Sequence, residues 1–313
     1  MKRQKEVTQL VSGEDFEIVT DISECEKLWK TFSVNKKISD MWEFKFCFHK
    51  YFNNLPHFIV HKKHGKVVGM LPLSYDNEQK LFKFFPGDDD WIEKNSIFLH
   101  KKRSLKELIK MCPANTKLTG IDEIPLYKKM FQDDDCTYSL YPKEFNYNLN
   151  NYHKLFKRKH VRNILRDLRK INKKGVDIIR CPKSYKKYYK IVKKWSVKTF
   201  GDKSYFYDKR FVKAFSDVLD LFMKKEIMYM TVVKVDDELA AIDFGCIYGD
   251  TMTVFAGGVN PKFRNQGIAK FINMEHIKYG FDCKLDKLEF LAFNFNWKEM
   301  WHLKKEKLFK FMK

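Results

Sequence analysis

No stretch of the chain approaches the ~20 consecutive apolar residues that a membrane-crossing helix needs. The opening Met1-Lys2-Arg3-Gln4-Lys5-Glu6 leads into no apolar signal segment. These two absences predict a soluble, cytoplasmic protein with no transmembrane segment. The seven cysteines, Cys25, Cys47, Cys112, Cys136, Cys181, Cys246 and Cys283, are odd in number, and no two stand at C-x-x-C spacing. That argues against a disulfide framework and a zinc knuckle, and makes reduced structural thiols the expectation. H-E-x-x-H, H-x-x-E-H, a Walker A loop and a G-x-S-x-G elbow are also missing, so metal and serine chemistry have no support and no metal is expected.

What is present is a chain of 313 residues, 44% apolar and 16% aromatic, which supplies ample core for two ordinary domains. The formal charge is +21. Lys and Arg are spread along the whole chain, which favours anionic partners: nucleotide phosphates, nucleic acid or anionic lipid. The charge does not choose among them, and an AT-rich coding sequence produces the same bias.

Periodicity predicts a strand at Phe16–Thr20, helices over 21–33 and 39–53, and a meander of strands at His57–His61, Lys66–Leu73 and Leu81–Phe85. A helix at 103–112 and short strands near 116–121 and 136–141 follow. A long basic amphipathic helix is predicted over 151–173, with Leu155, Val161, Ile164, Leu165, Leu168 and Ile171 as its apolar stripe. The second half repeats the logic. It has a strand at Val176–Arg180, helices near 184–200 and 208–225, and three strands at 227–235, 238–248 and 251–259. Asp236-Asp237 and Gly249-Asp250 mark the turns. A helix over 266–281, a strand over 287–293, a helix over 297–306 and a strand at Leu308–Phe311 complete it. The expectation is two copies of one mixed α/β fold, divided at 1–145 and 146–313.

One junction stands out. The strand Thr251–Ala256 runs through Gly257-Gly258-Val259-Asn260-Pro261 and Lys262-Phe263 into Arg264-Asn265-Gln266-Gly267-Ile268-Ala269, which opens a helix. The first turn of a helix has unpaired N–H groups and the positive end of the macrodipole, so a pyrophosphate can sit against it. Gly267 and Ala269 are small enough for close approach, and Lys262 and Arg264 add full charges.

This stretch resembles the acyl-CoA-binding motif of the GNAT superfamily, R/Q-x-x-G-x-G/A, here Arg264-x-x-Gly267-x-Ala269 and preceded by Val259-Asn260-Pro261. The resemblance implies acyl-CoA, with acetyl-CoA foremost, as co-substrate, held by Val259, Arg264, Asn265, Gln266, Gly267, Ile268 and Ala269. It also implies a strand after the motif helix, Leu288–Phe293, and a polar residue beside the donor, Asn294 or Asn296. The family often carries a proton-donating Tyr about seven residues later. Here that position is Trp301, which departs from the pattern. In outline the chain is similar to double-GNAT acyltransferases of the FemAB-like type. That likeness implies two GNAT-like halves, each a mostly antiparallel sheet flanked by helices, with a degenerate, acceptor-side first half and the donor site in the second.

Acyl transfer to an amine needs a base. Asp243, in the apolar strand Ala240–Gly245, is the candidate, because burial favours the protonated carboxyl and suits a proton acceptor. A structural ion pair is the competing reading. Asp88, Asp89 and Asp90 form an acidic run suited to a cationic acceptor, or else a solvated loop. Trp195 and Tyr205, with Phe206 and Tyr207, either line an acceptor pocket or pack the core. Glu275 and His276 on the motif helix are expected to be structural, and His302 is a lesser proton-carrier candidate. The leading function is therefore N-acyl transfer from acyl-CoA to an amine-bearing small molecule or peptide. Aminoacyl transfer from a charged tRNA bound through the basic helix 154–174 is the second. A non-catalytic nucleic-acid-binding protein on the same scaffold is the third.

Overall fold

The computed structural model describes residues 7–10, 14–87, 91, 93–122, 128–293 and 297–313. In chain order the elements begin β1 Val7–Leu10, β2 Glu14–Val19, α1 Ile22–Phe32, α2 Trp42–Phe52, β3 Leu55–Lys63, β4 Lys66–Asp76, β5 Leu81–Phe84, β6 Phe98–Leu99, α3 Ser104–Lys110, β7 Lys117–Ile121 and β8 Gln132–Leu140. They continue α4 Leu149–His153, α5 Arg158–Asn172, β9 Val176–Arg180, α6 Lys186–Phe200, α7 Lys209–Lys224, β10 Met228–Val235, β11 Glu238–Tyr248, β12 Thr251–Val259, α8 Ile268–Asp282, β13 Lys287–Glu289 and β14 Lys304–Met312. Two compact units result. The first is Met1–Cys136 with Glu306–Lys313, and the second is Thr137–Lys305. The sequence alone set the division at 145/146 and kept the last residues with the second half.

In the first unit β1 to β5 form an antiparallel sheet in chain order, with β6 on β4. Both faces of β3 and β4 are buried. Phe58, Val60 and Met70 pack with Trp29, Trp42, Phe85 and Phe98. Ile59, Leu71 and Leu73 pack with Leu105, Leu108 and Ile109. This is the period-2 alternation of a strand covered by helices on both sides. The β3–β4 hairpin turns at His64 and Gly65, both with φ near the left-handed well, at 49° and 71°. Phe309 and Phe311 of β14 pair with Ile121 and Leu118 of β7.

In the second unit the strand order is β9-β10-β11-β12-β13, extended by the end of β8. Strands β9 to β12 are antiparallel. The β12–β13 pair is parallel, as a strand–helix–strand crossover through α8 requires. α7 buries Phe211, Ala214, Phe215, Val218, Leu219 and Phe222, a stripe at helical spacing. Gly257 and Gly258 show which helix covers which face. Gly257 abuts Asp243, which bonds His276 of α8, while a Cβ on Gly258 would stand 3.6 Å from the Trp195 ring of α6. Successive residues of a strand point to opposite faces, so α8 and α6 cover opposite sides of the sheet.

Three local expectations change. The helix over 151–173 is broken into α4 and α5, and Leu155, counted in its apolar stripe, is 47% exposed between them. The strand over 287–293 stops at Glu289, because Leu291 and Phe293 take left-handed φ values of 59° and 60°. The helix over 297–306 shrinks to a 3-10 turn, Glu299–Trp301, and Lys304 onward joins β14, where Phe309 and Phe311 follow a strand period. Among the described residues no helix is long and apolar enough to cross a membrane.

Candidate active site

The site grows from β12. Its ladder with β13 ends at the pair Thr253–Glu289, while its ladder with β11 continues to Val259. A bulge marks the divergence. Phe244 pairs with Ala256 but Gly245 with Val254, leaving Phe255 as the extra residue. Bulges bend a strand and re-aim it, often beside active sites. Gly245 is required there, since a Cβ would overlap the Thr253 carbonyl oxygen. The outcome is a strand in the middle of the sheet order with half-exposed residues from Val254 to Val259 and an exposed Gly257. On the β13 side no strand among the described residues pairs with β12 beyond Thr253, which leaves an open edge in the ladder to which an extended amide-bearing chain can add.

At the end of this edge lies a cavity of about 700 Å³. Val259, Phe263, Arg264, Asn265, Gln266, Gly267, Ile268, Ala269 and Lys270 line one wall, and Asp167, Lys170 and Ile171 of α5 with Lys174 just after it line the other. The loop is locally encoded. Asn260 caps the turn Pro261–Phe263 by accepting from the Lys262 N–H at 3.1 Å. Asn265 and Gly267 take φ of 65° and 84°, and α8 starts at Ile268. The first-turn amides of α8 have no acceptor within the helix. Four cations border the cavity, Lys170, Lys174, Arg264 and Lys270, against one carboxylate, Asp167. Asp167 accepts from Lys270 at 2.9 Å, and this hydrogen bond holds its carboxyl below the usual range. Lys174 donates to Gln266 Oε1 at 3.2 Å. The helix terminus, the cations and the adjoining strand edge fit a polyphosphate with an extended arm.

Asp243 stands on β11 opposite Gly257. Its Oδ2 is 2.8 Å from His276 Nε2, and its Oδ1 lies over Gly257, where any Cβ would overlap it. His276 Nδ1 is 2.9 Å from the Tyr229 hydroxyl. His276 is 0% exposed and Tyr229 1%. Glu275 pairs with Arg180 at 2.9 Å.

The other sequence candidates fall elsewhere. Trp195 packs on Gly258, on the α6 side of the sheet. Tyr205 sits in an exposed 3-10 turn with its ring 5.7 Å from Phe211. Asp88, Asp89, Asp90, Asn294 and Asn296 lie outside the described residues. Trp301 is buried, and its carbonyl accepts the Tyr152 hydroxyl. His302 stacks edge-on to Phe156. The sequence reading did not place Asp167, Lys170 and Lys174 at the loop, nor link His276 and Tyr229 to Asp243. One signal was available for His276: Ile268, Ile272 and His276 follow one another at i+4, so the histidine continues a buried stripe. Among the described residues no group of three or more His, Cys, Asp or Glu could hold a metal.

Comparison with known proteins bears on the domain and the fold. Residues 157–299 match the family described as Acetyltransferase (GNAT) domain. No curated protein sequence matches the chain. Among solved structures, FemX superposes with a TM-score of 0.61 at 11% identity, over 95% of this chain and 97% of that one. The C-terminal domain of a putative lysylphosphatidylglycerol synthetase from Agrobacterium fabrum gives 0.58 at 9% identity, over 92% and 91% of the two chains. A tandem GNAT protein from the clavulanic acid biosynthesis pathway gives 0.51 at 8% identity, over 95% and 98%. Residues 157–299 thus match a GNAT domain, and the chain as a whole shares the fold of these structures: two mixed α/β halves with mainly antiparallel sheets flanked by helices.

Proposed function

We propose that this chain transfers an acyl group from acyl-CoA, acetyl-CoA foremost, to an amine acceptor, with the donor in the second unit. The carrying observation is the continuity of a cationic cavity at the α8 N-terminus with the open edge of β12. Phosphates meet Arg264, Lys170, Lys174 and the first-turn amides. The arm then runs along β12, with the donor thioester reaching Gly257 and Asp243. Asp243 is the base: it takes a proton from the acceptor ammonium, and the freed amine attacks the thioester carbonyl. The first half serves the acceptor in this reading.

Calorimetric titration of CoA tests it. The wild-type protein binds, and Gly267→Glu, which places a carboxylate at the anion site, abolishes binding. Unchanged affinity in that variant removes the loop from the donor site.

A second reading is aminoacyl transfer from a charged tRNA, favoured by the exposed Arg162, Arg166, Arg169, Lys170 and Lys173 of α5. It requires tRNA binding that falls steeply with salt and is lost in Arg162→Glu/Arg166→Glu. Salt-insensitive or absent tRNA binding leaves CoA as the donor.

A further inference from the structure

We infer that His276 and Tyr229 are positioning residues for Asp243, holding one carboxylate oxygen so that the other alone receives the acceptor's proton. This rests on the acyl-transfer reading but assigns two residues that reading does not use. The chain of contacts is short and buried. Tyr229 and His276 are 1% and 0% exposed, while the Asp243 side chain keeps 16% of its surface. The one outlet is therefore at the carboxylate, over exposed Gly257.

The direction of the hydrogen bonds follows from chemistry. Burial pushes the Tyr229 phenol up, so it stays protonated. With its hydroxyl proton directed at His276 Nδ1, the ring carries its own proton on Nε2 and donates it to Asp243 Oδ2. Oδ2 is then occupied, and Oδ1 is the remaining basic oxygen. The nearby charges compensate each other, since Arg180 donates to Glu275 and lies 5.3 Å above the Tyr279 ring.

A purely structural role would be filled better by an apolar residue. His276 continues the buried stripe begun by Ile268 and Ile272, the position an apolar residue fills elsewhere on that face. A histidine satisfied at both nitrogens instead specifies one arrangement. It also ties the base to the donor loop. Gly267 caps α8 and His276 projects from the same helix, about 13 Å further along its axis.

The reaction balances as follows. One ammonium N–H bond breaks and an O–H bond forms at Oδ1. The amine lone pair forms the C–N bond, and the C–S bond breaks. A second nitrogen proton goes to the leaving thiolate, and Asp243 then releases its proton to water. The Nε2–H of His276 stays in place throughout.

Two measurements on the full chain test this. Long-range nitrogen–proton NMR of the imidazoles is expected to show His276 as the Nε2–H tautomer, and Tyr229→Phe, which removes only the hydroxyl, is expected to redistribute it. Thiol release from acetyl-CoA is followed with a panel of primary amines. In Tyr229→Phe, and also in His276→Gln, kcat falls about tenfold with KM for acetyl-CoA unchanged. An Nδ1–H tautomer in the wild-type protein, or wild-type kcat in Tyr229→Phe, overturns the inference. Absence of thiol release from the wild-type protein with every amine overturns the acyl-CoA reading itself, and the positioning role falls with it. The tautomer result separates that outcome from a failure of the relay geometry.

Discussion

Gly267 at the N-terminus of α8 faces Asp167 of α5: a Cβ on Gly267 would stand 3.4 Å from the Asp167 Cβ, an ordinary van der Waals distance. The left-handed φ of 84°, and not the approach of α5, is what calls for glycine here. The approach of α5 brings a carboxylate to the first turn of α8, where Lys270 holds it at 2.9 Å. An acidic group at the positive end of a helix is stabilised there, and it is a like charge to any phosphate that enters.

Asp167→Asn is therefore expected to tighten CoA binding. A charge near a helix terminus is worth roughly 0.3–1 kcal/mol, which is about two- to fivefold in affinity. Lys270→Gln is expected to weaken it. Calorimetry at low ionic strength measures both. Equal or weaker binding in Asp167→Asn would show that the donor phosphates do not reach Lys270.

Gly257 and Asp243 should be energetically coupled. A methyl at 257 overlaps Asp243 Oδ1, which cannot move freely while His276 holds Oδ2. Overpacking of this kind costs roughly 1–3 kcal/mol. In an Asp243→Ala background the cost of Gly257→Ala should shrink but not vanish, because the Ile242 carbonyl oxygen stands 2.6 Å from the same methyl position. Urea unfolding of the four proteins gives the coupling. Identical penalties in both backgrounds would assign the clash to the backbone alone.

The local grammar of the second unit was legible in the sequence. Alternation and turn residues at Asp236-Asp237 and Gly249-Asp250 located β10 to β12, and the small-residue loop before Ile268 lines the cationic cavity. What was not legible is what depends on contacts distant in sequence. The roof of the cavity comes from Asp167, Lys170 and Lys174, about a hundred residues before the loop, and helical periodicity cannot say what a helix covers. Asp243, His276 and Tyr229 sit on three elements, and the β10–β11 register together with the packing of α8 on the sheet brings them together. The early stop of β13 was hidden because Leu291 and Phe293 are apolar residues in left-handed backbone, a conformation their identity does not announce.

Stability should fall on the acid side as buried histidines charge. Burial lowers His49 and His57 below the ordinary 6.5. The unfolded chain thus takes up protons first, so stability is full above pH 6.5 and declines as pH drops below it. His49 is the residue to test. It packs 5.0 Å from the Phe85 ring, and its Nδ1 has no hydrogen-bond partner among the described residues. His49→Phe should flatten the decline of the urea midpoint between pH 7 and pH 5. A slope as steep as that of the wild-type protein would place the titrating groups elsewhere.

Lys298 carries the last expectation. It is 2% exposed, and its ammonium donates to the carbonyl oxygens of Leu291, at 2.9 Å, and Ala292. It also lies 5.1 Å from the Tyr138 ring. A buried cation on two carbonyls explains how the left-handed residues after β13 are held: the lysine ties down the peptide groups that turn the chain away from β12. Lys298→Met keeps the stem and removes the donor, leaving buried carbonyl groups short of a partner. That should cost about 1–3 kcal/mol. The damage should be local first. The Tyr138 N–H donates to the same Leu291 carbonyl at 3.1 Å, so its hydrogen exchange should accelerate more than that of amides in β10 and β11. Equal acceleration across the sheet would mean that Lys298 supports the whole unit and not the bend that parts β13 from β12.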